Sequence, residues 1–317
     1  MSYLILILGL ITLIIGGEFL VKGAVGIAKK AHISSLVIGM TVISFGTSAP
    51  ELIVSLNAAL SGNPEIAIAN VVGSNIANIA LVLGITVLIF PIIVDRNSKI
   101  IDWPMMMGAS ILFYLFAYDL VIETWEGIIL FGILVVFTVL LITNSRKTTK
   151  KEKAALTTPI EDEIPVMNTY LAFFYVLLGL VGLFFGAKWL VSGAIDIAQN
   201  LGMSQTVIGV TVVAFGTSVP ELVTSAVAAF RKETDISIGN LIGSNLFNIM
   251  AVIGLTAIVK PIPVESVVLN NDMIWMLCIA AALLPLMLIG KKLGRIKGVM
   301  LFGTYVAYIT IILIHVK

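Results

Sequence analysis

Two short stretches of this chain place a carboxylate where it could hold a cation. Gly46-Thr47-Ser48-Ala49-Pro50-Glu51 recurs as Gly216-Thr217-Ser218-Val219-Pro220-Glu221. A proline inside a helix lacks the N–H and frees the carbonyl four residues back. Those carbonyls belong to Gly46 and Gly216, with the carbonyls of Thr47 and Thr217 loosened beside them. Each glutamate follows its proline in a strongly apolar stretch, with no basic residue in either motif. An ionised group at the centre of a bilayer costs about 2.5–3.5 kcal/mol even on the mildest scale, so two carboxylates require a counter-charge. A metal cation or protons can supply it. Ser48, Glu51 and Ser55 recur at i, i+3 and i+7, and Thr47 stands four before Glu51, which puts these groups on one helix face.

A second stretch is also duplicated: Asn70-Val71-Val72-Gly73-Ser74-Asn75-Ile76-Ala77-Asn78 recurs as Asn240-Leu241-Ile242-Gly243-Ser244-Asn245-Leu246-Phe247-Asn248. Asn70, Ser74 and Asn78 fall every four residues and form a polar stripe. Gly73 and Gly243 allow close packing against the broken helix. Carboxylates, hydroxyls, amide oxygens and backbone carbonyls make an all-oxygen donor set. That set suits a hard ion such as calcium, which takes about 6–8 oxygens. Neither motif holds His, Cys or Met, so a soft metal is disfavoured.

The elements that must carry these motifs are membrane helices. The chain is 59% hydrophobic and 12% charged, with a mean hydropathy of +1.10, far from the roughly 25% charged residues of a soluble domain. Ten apolar segments are expected, near 3–28, 35–60, 66–90, 103–118, 124–143, 169–199, 205–229, 236–259, 272–290 and 298–315. The expected fold is all-α and integral to the membrane. The start of the chain reads as a first span and not as a removed signal peptide. The single cysteine, Cys278, cannot form an internal disulfide, and nothing points to nucleic acid.

The stretch 39–94 matches 209–264 without a gap, at an offset of 170 residues (Glu221 against Glu51), with about half of the positions identical. Two five-helix repeats are expected, 1–143 and 169–317, joined by a polar hinge loop at 144–168. Five spans per repeat place the second in the opposite orientation, the plan of transporters that bind at the midplane between halves. Most Lys and Arg lie in loops on the hinge side, including Lys29, Lys30, Arg96, Lys99, Arg146, Arg231 and Arg295, while Lys260 and Lys317 lie opposite. By the positive-inside rule the hinge is cytoplasmic and both termini are outside, in a multi-pass protein of the cell membrane.

Both motif pairs closely resemble the two alpha-repeats of the sodium/calcium exchanger family, within the cation/calcium antiporter superfamily. The resemblance covers the chain in span order and implies ten helices, the first and sixth sliding across a fixed core. It implies that Glu51 and Glu221 bind both calcium and sodium, and that the Thr47 and Thr217 carbonyls complete the calcium site. Ser48, Ser74, Asn78, Ser218, Ser244 and Asn248, with the carbonyls of Ser44 and Ala214, would frame flanking sodium sites. Some relatives, potassium-dependent exchangers among them, carry an aspartate where this chain has Asn248. The neutral Asn248 argues against a potassium requirement and leaves a formal site charge of −2.

The function expected is sodium/calcium antiport without a cofactor, exporting cytoplasmic calcium, in a protein acting as a monomer in the lipid bilayer. Proton/calcium antiport through the same glutamates is the nearest alternative, and a cation channel the next. An enzyme is disfavoured: neither HExxH nor GxSxG is present. Elsewhere the residues read as structural. Asn75 and Asn245 are balanced between helix packing and ion contact. Glu18 and Lys22 are expected to pair or to reach toward the inner surface. His32, His315 and the tryptophans read as interfacial, and Met105 to Met107 as packing.

Overall fold

A computed structural model describes residues 2–155, 167–202, 214–290 and 292–315, and these are almost entirely helical. The helices are α1 (Ser2–Ala31), α2 (Ser35–Thr47), α3 (Ala49–Leu60), α4 (Glu65–Ile89), α5 (Ser98–Asp119), α6 (Thr124–Ala155), α7 (Thr169–Asn200), α8 (Ala214–Thr217), α9 (Val219–Phe230), α10 (Thr234–Val259), α11 (Val268–Leu288) and α12 (Arg295–His315). Eight are long and apolar enough to cross a membrane. The pair α2–α3 makes a ninth, bent by 43°. Of the seventh expected span, 205–229, residues 205–213 lie outside the described residues; the rest is α8 and α9. The chain is thus a multi-pass helical membrane protein with eight to nine candidate spans among its described residues.

Two helices form the centre. The most apolar windows of α4 and α10 are 78% buried, whereas those of the other spans are mostly open to the surroundings. Backbone polar groups in lipid must be paired within the segment, which is why apolar runs of this length become helices. The outer faces carry residues such as Leu8, Ile11, Leu140, Phe173 and Leu177, all exposed, as a lipid-facing surface requires. The largest apolar cluster is shared by both halves, with Val72, Ile79 and Phe113 packed in one body with Ile249, Val252 and Met276.

Two minimal antiparallel strand pairs also join the halves. Ile92–Ile93 pairs with Lys292–Leu293 in the register Ile92 to Leu293, and Val121–Ile122 pairs with Ile262–Pro263 in the register Ile122 to Ile262. Trp103 Nε1 donates to the Ala280 carbonyl at 2.8 Å and ties α5 to α11.

Helices α1 and α7 pack backbone to backbone. Gly9, Gly16 and Gly23 recur every seventh residue on α1, as Gly179, Gly186 and Gly193 do on α7. A Cβ on Gly16 would lie 2.8 Å from the Leu183 nitrogen and 3.0 Å from the Gly179 oxygen. Glycine is the residue that fits where helix backbones approach this closely.

Several expectations are revised. Helix α6 runs to Ala155, through the first part of the segment expected to be a loop from 144. Residues 145–155 hold no Gly or Pro, and Lys, Arg, Glu and Ala are good helix formers. Glu18 pairs with Arg231 and not with Lys22, because α1 lies against α9: a Cβ on Gly17 would sit 3.1 Å from Val223 and 3.4 Å from Val227. Lys22 instead places Nζ 5.6 Å from the Tyr175 ring centroid. Gly243 does admit the broken helix, since a Cβ there would lie 2.6 Å from Met40 Cα. Gly73 meets nothing within 4 Å among the described residues.

Candidate functional site

The two motif prolines produce the same break twice. In the first half α2 ends at Thr47, Ser48 adopts φ −88° and ψ 3°, and α3 begins at Ala49 with Pro50 in its first turn. In the second half Ser218, at φ −87° and ψ 0°, separates α8 from α9 in the same way. Proline is tolerated in a first helical turn because its missing N–H would have had no intrahelical partner there. Glu51 and Glu221 therefore stand in the first turn of α3 and α9. The N-terminus of a helix carries free N–H groups and a partial positive charge that favour an anion. The preceding half-helix ends in carbonyls, which favour a cation. Each break presents both kinds of end within a few residues.

The breaks are not quite identical in their bonding. Ser48 N–H donates to the Ser44 carbonyl at 2.9 Å, which also accepts Thr47 Oγ1 at 3.4 Å. Ser218 N–H instead donates to the Phe215 carbonyl at 3.1 Å, one residue past Ala214.

The carboxylates are fully withdrawn from the surface, Glu51 at 1% and Glu221 at 0% exposure. Ser48 Oγ donates across the halves to Glu221 Oε1 at 3.3 Å, and the Thr47 hydroxyl faces the same carboxylate. Among the described residues no lysine, arginine or histidine pairs with either glutamate; the ion pair present there is Glu18–Arg231. Nor do the described residues hold any cluster of three or more His, Cys, Asp and Glu side chains suited to a metal. Two carboxylates among neutral oxygens are what this centre offers.

The polar stripe lies on α4 and α10 beside the breaks. Ser74, Asn78, Ser244 and Asn248 are all buried. Ser244 Oγ lies 3.4 Å from Thr47 Oγ1, and Ser44 Oγ donates to the Asn240 carbonyl at 3.0 Å. Asn78 and Asn248 fall where α4 and α10 pass into π-helical turns, Ala77–Leu83 and Asn248–Ile253. Such turns widen the helix, shift its hydrogen-bond ladder and occur often at functional sites.

Buried polar atoms normally have partners. Twelve buried side-chain atoms among the described residues lack one, and six of them, Glu51 Oε2, Glu221 Oε2, Ser218 Oγ, Asn248 Oδ1 and both amide atoms of Asn78, belong to residues expected to hold an ion. Glu51, Ser48, Thr47 and Ser44 from the first half are thus brought together with Glu221, Ser244 and Asn240 from the second. Thr217 is only partly buried, and of Ala214 only the backbone is described.

Asn70 and Asn240, of the duplicated polar stripe, brace the helices that carry the glutamates, and Asn75 takes the packing role left open in the sequence. Asn70 Nδ2 donates to Ser55 Oγ at 3.1 Å and to the Glu51 carbonyl at 3.3 Å, bracing α3. Asn240 repeats this, donating to Ser225 Oγ at 3.0 Å, and also accepts Thr47 Oγ1 at 3.2 Å. The motif spacing of fifteen residues between Ser225 and Asn240, repeated at Ser55 and Asn70, was the signal for this brace. Asn75 proves to be a bridge between the halves: it donates to the Asn245 carbonyl at 3.3 Å and accepts from Asn248 Nδ2 at 3.1 Å.

Known proteins resemble this chain over nearly its full length. The family pattern described as "Sodium/calcium exchanger protein" matches residues 1–143 and 171–314. The chain is 36% identical over 306 residues to the putative antiporter CaxA of Alkalimonas amylolytica, covering 95% of each protein. It is 32% identical over 343 residues to the sodium/calcium exchanger MaX1 of Methanosarcina acetivorans, covering 98% of each. Among solved structures, the sodium-calcium exchanger NCX_Mj soaked without sodium or calcium superposes with a TM-score of 0.83 at 31% identity, covering 98% of both chains.

Proposed function

The chain belongs to the sodium/calcium exchanger family of cation antiporters, and on that footing we propose that it exports cytoplasmic calcium in exchange for entering sodium. The observation that carries this reading is the pair of buried carboxylates Glu51 and Glu221, with Ser48 of the first motif donating to Glu221 and with buried oxygens that lack partners among the described residues. A buried carboxylate pair without a basic neighbour is stable only with a positive charge between its members. Calcium neutralises the pair, and two sodium ions do the same.

In this reading Glu51 and Glu221 ligate both ions. The carbonyls of Thr47 and Thr217 complete the calcium shell. Ser48, Ser74, Asn78, Ser218, Ser244 and Asn248, with the Ser44 and Ala214 carbonyls, hold sodium beside it. Calcium and sodium then compete for the same carboxylates and cannot both be fully bound. That competition couples the two fluxes. The architecture proposed is ten helices in two inverted five-helix repeats, 1–143 and 169–317, with 144–168 cytoplasmic and both termini outside. The recurrence of the Ser48 and Ser218 breaks, of the π-turns at 98–102 and 268–272, and of the strands at 92–93 and 262–263, each at an offset of 170, supports it.

The two halves expose the centre alternately, and binding energy that differs between ions drives the cycle. Protons could occupy the same carboxylate oxygens, which makes proton/calcium exchange the alternative this site chemistry allows.

The test is calcium-45 uptake into sodium-loaded proteoliposomes, with choline or sodium outside and equal pH on both sides. Sodium/calcium exchange requires uptake that depends on the outward sodium gradient and is abolished in Glu51→Gln and in Glu221→Gln. Uptake indifferent to sodium but driven by a pH gradient would replace sodium with protons. Wild-type uptake by a correctly inserted Glu51→Gln protein would remove the site assignment.

A further inference from the structure

Asn75 and Asn245 occupy equivalent places in the duplicated Gly-Ser-Asn stretch, yet they do different work. Asn245 donates Nδ2 to the Leu241 carbonyl at 2.8 Å, a bond inside its own helix. Asn75 leaves its helix altogether. Its two amide atoms engage the opposite half, one on the Asn245 carbonyl and the other on Asn248 Nδ2. All three side chains are buried, so water does not compete for these bonds.

A primary amide has a donor end and an acceptor end. Because Asn75 Oδ1 accepts the Nδ2 end of Asn248, the oxygen end of Asn248 must point away from Asn75. That oxygen is buried and without a partner. Asn78, the counterpart of Asn248 in the first half, has no such anchor among the described residues, where both its amide atoms lack partners. A free amide can turn its NH2 group toward a cation, which repels it. An anchored one cannot.

We propose that Asn75 is a positioning residue that fixes the Asn248 amide with its carbonyl oxygen turned toward the cation centre. Asn248 is then a pre-set oxygen ligand, while Asn78 is an adjustable one. The two halves therefore contribute unequal ligands despite equal motifs. The proposal rests on the reading of Glu51 and Glu221 as a cation site. Outer partners that orient a ligand typically cost about 10–100-fold in metal affinity when removed.

The experiment is equilibrium binding of calcium-45 to purified full-length protein in detergent, with sodium competition measured alongside. Asn75→Leu keeps the branched shape and removes both the donor and the acceptor; it should raise the half-saturating calcium concentration roughly tenfold. Asn245→Leu should leave it unchanged. In an Asn248→Leu background, Asn75→Leu should add no further loss, because it acts only through Asn248. Asn75→Ser, small, polar and too short to bridge, repeats the test should the leucine variant fail to give a monodisperse protein.

Wild-type binding by a monodisperse Asn75 variant, with binding lost in Glu51→Gln, would overturn the proposal and leave the cation site standing. An undiminished penalty in the Asn248→Leu background would also overturn it. Wild-type binding by Glu51→Gln would instead bring down the site itself, a result that cannot be confused with either.

Discussion

The two repeats share a motif but not a neighbourhood. In the second, α1 lies directly on α9, with Gly17 against Val223 and Val227, and Glu18 reaching Arg231 at the end of that helix. In the first, α7 stands off the corresponding helix α3. A cavity of about 220 Å³ remains there, lined by Phe45, Gly46, Pro50 and Ile53 on one wall and by Val181 and Phe184 on the other. One face of the buried centre is shut by a helix and the other borders a void. Equal motifs thus sit in unequal surroundings, and the alternating cycle proposed above would exchange them.

This contrast can be broken most severely at the contact between α1 and α7, the two helices that slide together in the proposed cycle. Gly16→Leu drives a side chain into the α7 backbone. It should cost at least about 1–3 kcal/mol of stability and reduce exchange to background. Thermal unfolding and proteoliposome flux check both effects, and wild-type flux would mean the pair does not move as one.

A subtler test separates the two motif serines. Ser48 donates to Glu221, whereas Ser218 Oγ has no partner among the described residues. In ion-free buffer the pair holds protons in place of a cation, so Ser48→Ala should destabilise by about 0.5–1.5 kcal/mol, the net worth of a hydrogen bond between neutral groups. Ser218→Ala should have almost no effect under the same conditions. Equal losses from both substitutions would show that the ion-free centre is symmetric after all.

The smallest effect is expected at the shut face. Glu18→Gln removes an ion pair whose side chains are 33% and 42% exposed. Such a pair is worth about 0–1 kcal/mol and weakens with salt. A change in unfolding temperature that persists undiminished in high salt would contradict this reading of the contact.

Much of this was visible in the chain itself. Glu51 and Glu221 stood out because a charge beside a proline in an apolar run is costly, and costly features repeated at one offset are rarely accidental. Helix existence followed from apolar length alone. The glycines spaced by seven on α1 and α7 were equally present in the sequence, but only the backbone contact gives the spacing a meaning. The pairing of Glu18 was not legible. Lys22, four residues away, was the local candidate, and only the packing of α1 on α9 brings Arg231 closer. Asn75 was undecidable for the same reason. Its partners lie in the other half, about one repeat away along the chain, and no local periodicity encodes a bond across that distance. The helical start of the 144–168 segment was missed because charge was read as loop, although charged residues extend helices readily.

The two small strand pairs carry a consequence for how the protein comes into being. Each takes one strand from each half, and the largest apolar cluster is likewise held in common. The repeats are interlocked, not set side by side like two modules. The first half therefore leaves the ribosome with strand edges unpaired and much of its central helix α4 uncovered. Its native partners are contacts of long sequence separation, which form slowly. Assembly must wait for the second half to be inserted. During that interval the half-made protein is at its most vulnerable to misassembly and to quality control.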